Sequence, residues 1–174
     1  MTPRDPGRFA SSAALLGLSL LVASCGGGAP APAPATDGGG DDAARGEAVE
    51  LCFATANATR ARFSGEPEKI TVKHVLVKYK GAKNAGADVT RSRGEACLRA
   101  IEARDKIRES GDFDATVGAY SDEAGAASRN GSVGAVTRAD VAKPFADAAF
   151  ELSLNQLSDV VETEFGFHVI LRSE

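Results

Sequence analysis

Residues 165–172 read FGFHVILR and residues 70–79 read ITVKHVLVKY. Both are apolar, largely β-branched runs of ordinary strand length, and each carries one histidine within it. An imidazole inside a buried strand needs a hydrogen-bond partner. The chain has only two histidines, His74 and His168, and neighbouring strands would let them serve one another. Working outward, Val160-Val161 joins the 167–172 strand through a turn over Glu162 to Gly166, and Val133 to Val136 is a further short strand. Ser92-Arg93-Gly94-Glu95 is a capping box opening a helix that runs to about Ser110, with Gly111 as its stop. Ala96, Ala100, Ala103 and Ile107 form its core stripe, which makes the flanking Cys97 a small core residue rather than a nucleophile. Asp112 to Tyr120 is a second helix, since Phe113, Val117 and Tyr120 recur at i, i+4, i+7. Pro144 suits the first turn of a third, with Phe145, Ala148 and Ala149 on one side. The order β-α-α-β-α-β-β predicts an α+β domain with a small, mainly antiparallel sheet.

Composition confines that domain to the last two-thirds of the chain. Ten of 19 glycines and five of seven prolines precede residue 67, so residues 67–174 are the domain. With 43% hydrophobic and 25% charged residues, the chain can build a core. A net charge of −4 argues against a nucleic-acid binder, which shows a basic excess. Three cysteines, Cys25, Cys52 and Cys97, lack metal-site spacing and do not form a disulfide framework. No metal or cofactor is expected.

The first third reads as a delivery segment. Arg4 and Arg8 precede a broken apolar run from Phe9 to Val22, too short for a comfortable membrane span. It ends in Val22-Ala23-Ser24-Cys25, which resembles the bacterial lipobox. That resemblance implies a signal peptide over 1–24 and acylation of Cys25; an ordinary cleavage site near a cysteine is the plainer reading. Residues 26–42, GGGAPAPAPATDGGGDD, cannot bury enough apolar area to order themselves. As a random coil the 17 residues span roughly 20–25 Å. Residues 25–66 are therefore assigned as acylated cysteine and flexible linker. Within them, the alternation of Val49, Leu51 and Phe53 leaves open a short strand, a helix packed on the domain, or more tether.

No Ser/His/Asp or Cys/His order is recognisable, and two histidines without clustered carboxylates make a poor metal site. By their patterns alone, the histidines are a satisfied core pair and Val133, Val141 and Phe145 are ordinary core. Glu123 is a loop carboxylate. The segments 73-KHVLVKY-79, 111-GDFDATVGAYSDE-123, 131-GSVGAV-136, 143-KPFADAAFEL-152 and 165-FGFHVILR-172 nevertheless resemble, in order and spacing, the parvulin family of peptidyl-prolyl cis/trans isomerases. The resemblance covers nearly all of residues 70–174. It implies a four-stranded sheet surrounded by helices, and a site in which His74 and His168 are the family's paired histidines. Thr163 is the threonine that bonds one of them. By the same resemblance, Val133, Val141, Ala142, Phe145 and Phe165 are expected to form a cup for proline. Glu123 stands where the family carries cysteine or aspartate.

The implied reaction needs no nucleophile. Rotation about an X-Pro bond meets a barrier of ~18–20 kcal/mol, and a site accelerates it by holding the twisted amide more tightly than the planar one. The expected partners are proline-containing unfolded or exported polypeptides and, through the Cys25 lipid, a bacterial membrane facing the periplasm. The domain is expected to act as a monomer without nucleic acid. A chaperone-like groove with little isomerase activity is the competing class, kept open by Val141 and Glu123. Only Lys78, Lys80 and Lys83 stand where phosphate-directed members pair arginines, so no phosphate preference is expected. As the wall of an open groove, the Phe145 ring is expected to face solvent in part, whereas Phe113 should be packed.

Overall fold

The computed structural model describes residues 39–174, with side chains from Asp41. The expected signal peptide over 1–24, the acylation site Cys25 and the tether as far as residue 38 lie outside the described residues. Strand β1 is Ile70–Val77, β2 Ser132–Val136, β3 Val161–Thr163 and β4 Gly166–Arg172. They form one sheet in the order β2-β1-β4-β3, antiparallel at every pairing rather than only mainly so. Helix α1 is Gly39–Ala56, α2 Arg93–Ser110, α3 Phe113–Tyr120 and α4 Lys143–Glu151. The capping box at Ser92 is complete, and Gly111 closes α2 in the left-handed conformation, which costs a residue without Cβ little. Asp112 caps α3 through Ala115 N–H. The 160–172 hairpin is tighter than its sequence suggests: Thr163 belongs to β3, and the turn is only Glu164-Phe165.

The two-residue period of the strands sorts the core onto two faces. Val75 and Val77 of β1, with Phe167 and Val169 of β4, pack under α2, α3 and α1. Ile70, Val72, Val161 and Ile170 pack under α4 with Phe145, Ala148 and Phe150. His74 lies between Val72 and Leu76 in this alternation, and His168 precedes Ile170 by two. Both therefore project onto the α4 face.

Residues 39–56 are not tether. Val49, Cys52, Phe53 and Ala56 turn inward at i, i+3, i+4 and i+7, a helical stripe, while Leu51 is 69% exposed. Of the three alternatives the alternation of Val49, Leu51 and Phe53 leaves open, the helix packed on the domain is the one that forms. Cys52 is bonded to Cys97 of α2, across a separation of 45 residues. The exclusion of a disulfide framework gives no hint of this single bond, since packing brings together two cysteines whose spacing carries no signal. Cys97 is buried as expected, but as half of a cross-link. Val49 lies against Gly94, where an added Cβ would stand 3.1 Å from it. Phe53 stacks on Phe167 with ring centroids 6.2 Å apart. The segment after α1 is tied down too: Arg138 grips Glu66 through Nε and Nη2 at 2.8 and 2.7 Å, and Arg60 pairs with Glu151 at 3.3 Å. The folded unit therefore begins at α1 and not at residue 67.

Candidate active site

The register sets the central pair. His168 stands opposite Leu76, which places it diagonally across from His74. Their Nδ1 atoms are 3.1 Å apart and their rings nearly parallel, at 15°. On the far side of His168, Thr163 Oγ1 lies 2.8 Å from Nε2. On the far side of His74, Glu123 Oε2 lies 2.9 Å from Nε2.

Glu123 reaches His74 because β1 outruns β2. Beyond Lys73 the free edge of β1 is satisfied by the loop after α3 instead of by a strand. His74 N–H donates to Gly131 O at 2.8 Å, Leu76 N–H to Ser121 Oγ at 3.2 Å, and Lys78 N–H to Asp122 Oδ2 at 2.8 Å; Asp122 N–H donates to Leu76 O at 2.7 Å. Stitched at both ends, the loop holds Glu123 over the imidazole. Gly131 is required there: at φ 69° an added Cβ would stand 2.5 Å from His74 O. Gly166 plays the same part at the hairpin, where a Cβ would meet Val77 O at 2.5 Å.

One arrangement of protons gives every donor in this chain an acceptor. Phe165 N–H donates to Thr163 Oγ1 at 3.1 Å, so the hydroxyl proton is free to point at His168 Nε2. His168 then carries its proton on Nδ1 and donates to His74 Nδ1. His74 in turn donates from Nε2 to the Glu123 carboxylate. With both imidazoles neutral, every donor in the series has an acceptor. Burial, reinforced by the neighbouring His74, holds the pKa of His168 well below the ordinary histidine range. The Glu123 pKa is lowered chiefly by its hydrogen bond with His74, against the opposing effect of burial, and further by electrostatic interaction with His74 and then with Arg129, which is ion-paired with it.

Beside the relay is a cavity of about 400 Å³. His74, Glu123, Thr163, His168, Val133, Val141, Ala142, Phe145 and Phe165 all line it, so every side chain expected at the site from the sequence is brought together there. Phe145 meets both imidazoles edge to face, at 5.7 Å from His74 and 5.3 Å from His168. Its expected partial exposure is corrected: the ring is 4% exposed, because α4 lays it flat into the second core. The exposed rim is Val133, at 39%. Lys78 also lines the cavity, its Nζ donating to Asn84 O at 2.9 Å, while Lys83 sits 4.8 Å over the Phe165 ring. Lys80 is exposed.

Sequence reasoning missed Leu76, Asp140 and Arg129. Leu76 was within reach, being two residues beyond His74 on the same face of β1. Asp140 carries no such signal. Arg129 sits six residues after Glu123 in a loop without periodicity, and only the folded loop pairs them. Chemically, the site offers an apolar recess for a small ring and, next to it, a fixed series of polar groups without an activated nucleophile.

Residues 57–173 match the family model described as the PPIC-type PPIASE domain. The chain is 38% identical over 111 residues to the putative peptidyl-prolyl cis-trans isomerase dodo of Drosophila melanogaster, covering 61% of this chain and 66% of that one. It is 33% identical over 121 residues to the peptidyl-prolyl cis-trans isomerase pin1 of Schizosaccharomyces pombe, covering 67% and 68%. Among solved structures, the PPIase domain of TBPAR42 superposes with a TM-score of 0.51 at 30% identity, over 60% of this chain and 99% of that domain.

Proposed function

The chain belongs to the PPIC-type peptidyl-prolyl cis/trans isomerase family, and from that premise we propose that it accelerates X-Pro rotation in exported polypeptides from a lipid anchor at Cys25. The observation that carries the catalytic part is the apolar cup set directly against the His74–His168 pair. Val133, Val141, Ala142 and Phe165 would surround the prolyl ring, with the edge of Phe145 closing the floor. The amide then lies next to the imidazoles and Glu123. Desolvating it there removes the water that favours the planar, charge-separated resonance form, so the twisted amide is bound relatively better. Each ~1.4 kcal/mol of that preference is a tenfold rate gain. No covalent step is involved.

Export is supported by two independent features. One is the basic, apolar and small-residue run ending at Cys25. The other is the Cys52–Cys97 disulfide, since such bonds form and persist outside the reducing cytoplasm. Two acyl signals on one residue would hold the protein stably at a membrane, where a single chain binds only marginally.

A chromogenic X-Pro peptide, coupled to a protease that cleaves only the trans form, tests the activity on the full chain. The expected result is a catalysed relaxation proportional to protein concentration. The uncatalysed rate from folded protein would instead assign the groove to polypeptide binding alone. Mass spectrometry of the protein from the membranes of a bacterial host tests the anchor, with a chain starting at Cys25 and carrying acyl groups expected. An unmodified chain starting elsewhere defeats it.

A further inference from the structure

We propose that Arg129 is a positioning residue which, acting through Glu123, sets the direction in which protons are arranged along the Glu123–His74–His168–Thr163 relay. Arg129 is built into place for this. Its Nε donates to Ser132 O at 3.0 Å and its Nη1 to Ala124 O at 3.1 Å, leaving Nη2 aimed at Glu123 Oε2. Gly125, at φ 72°, sits beside this guanidinium, where a Cβ would stand 3.3 Å from Nη1. The same carboxylate oxygen faces His74 Nε2. His74 on β1 and Arg129 on its own loop are the charged or titratable groups in direct contact with Glu123; Lys78, Asp140 and His168 line the same cavity.

Direction follows from counting protons. With Glu123 ionised, every donor from Thr163 to His74 points toward the carboxylate and finds an acceptor. With Glu123 protonated, its O–H donates to His74 Nε2, His74 donates from Nδ1, and His168 must donate from Nε2 into Thr163 Oγ1. That oxygen already accepts from Phe165 N–H, so its own proton loses its acceptor. A proton on His74 has the same effect on His168. One added proton at the Glu123 end thus flips the His168 tautomer, and the cation beside Glu123 adds to the His74 hydrogen bond in opposing its arrival. Such a role exists because this position carries a glutamate, long enough to touch both His74 and Arg129.

The kinetic arm of the test rests on the isomerase reading; the spectroscopic arm does not. Imidazole ¹⁵N chemical shifts of the full chain, followed from pH 8 to pH 4, report the two tautomers directly. In the native protein at pH 7.5 the proton should be on Nε2 of His74 and Nδ1 of His168; the opposite pattern overturns the proposal whatever the variants do. In Arg129→Gln the His168 flip should move up by about one pH unit, the acid limb of kcat/KM moving with it, because a neighbouring opposite charge shifts a carboxylate by one to three units. Arg129→Lys, which keeps the charge without the fork, should restore most of the native profile. An Arg129→Gln protein with native tautomers and a native acid limb, altered only in melting temperature, shows a merely structural arginine and overturns the proposal. Absence of isomerase activity in the native chain, with the tautomer shifts as expected, would sink the proposed function and leave this inference standing.

Discussion

Thr163 carries two hydrogen bonds, accepting from Phe165 N–H and meeting His168 Nε2, and it is 6% exposed. Thr163→Val keeps the shape and removes both, leaving buried polar groups unpaired at ~1–3 kcal/mol. We expect a lower urea midpoint together with a steep fall in kcat/KM, and recovery of both in Thr163→Ser. Full activity in the folded valine variant would reduce Thr163 to a packing residue. Phe145 differs from Thr163 in that its ring is buried in the apolar core. Phe145→Ala should cost ~3–5 kcal/mol, as a core phenylalanine does, so it cannot by itself separate structure from function. Phe145→Leu can: it fills most of the volume but loses the ring edge against the imidazoles. We expect a small loss of stability and a kcat/KM reduced about tenfold, equivalent to ~1.4 kcal/mol of differential binding. Unchanged kcat/KM would remove Phe145 from the cup.

At the level of elements, α1 is a strap fastened at three points. Its disulfide closes a loop of about 45 residues, worth ~4 kcal/mol in the chain-entropy account. Arg93 lies over Phe53, 4.1 Å from the ring centroid, and also grips Glu162 with Nε 2.6 Å from Oε1. Asn57 Nδ2 donates to Glu162 Oε2 at 2.8 Å. Burial alone would raise the pKa of Glu162, but the bonds from Arg93 and Asn57 and the charge of Arg93 bring it below the ordinary carboxylate value. Glu162 and Thr163 are consecutive on β3 and face opposite sides of the sheet, so the strap and the site hold the same short strand. Reduction of the disulfide should lower the urea midpoint substantially, and Cys52→Ser combined with Cys97→Ser should reproduce the shift without reductant. A chain beginning at residue 67 should be less stable still, having lost Phe53 from Phe167, Asn57 from Glu162 and Glu66 from Arg138. An unchanged midpoint on reduction would mean that α1 is held by packing alone.

For the molecule as a whole, the buried relay predicts how stability depends on pH. His168 is folded as the neutral ring, with a pKa well below that of the unfolded chain near 6.5. The unfolded state therefore takes up the proton first, and the stabilisation present above pH 6.5 is lost as pH falls toward the folded value. Glu123 and Glu162 act in the same direction at lower pH. Each has a pKa below 4.5, so its contribution is complete above that value and disappears as pH drops through the folded pKa. Stability should be flat above about pH 7 and fall in two stages below it, the first with a slope of at most ~1.4 kcal/mol per pH unit for one proton. His168→Asn should abolish the first stage and keep the second. Denaturant melts at half-unit pH intervals read both, and a single transition below pH 4.5 in the native protein would contradict a buried neutral His168.

Local signals determined much of this protein before folding is considered. The Ser92 capping box, Gly111, the 2.0-residue period of 70–77 and 166–172, and the 3.6-residue stripes of α2 and α3 are short-range features, and each element forms where they place it. The residues that line the cavity, the two histidines among them, were legible as well, because they ride on those elements and on the ordered motifs of the family. Three features were decided only in three dimensions. Cys52 and Cys97 meet because α1 packs across α2, and no spacing rule encodes a pairing of two single cysteines. Phe145 is core by its pattern, and only the packing of α4 on the sheet sets that core ring against both imidazoles. Arg129 reaches Glu123 because the loop that covers the unpaired edge of β1 folds back on itself. Contacts within a few residues are written in periodicity and capping, whereas contacts between distant loops depend on the whole chain closing around the sheet.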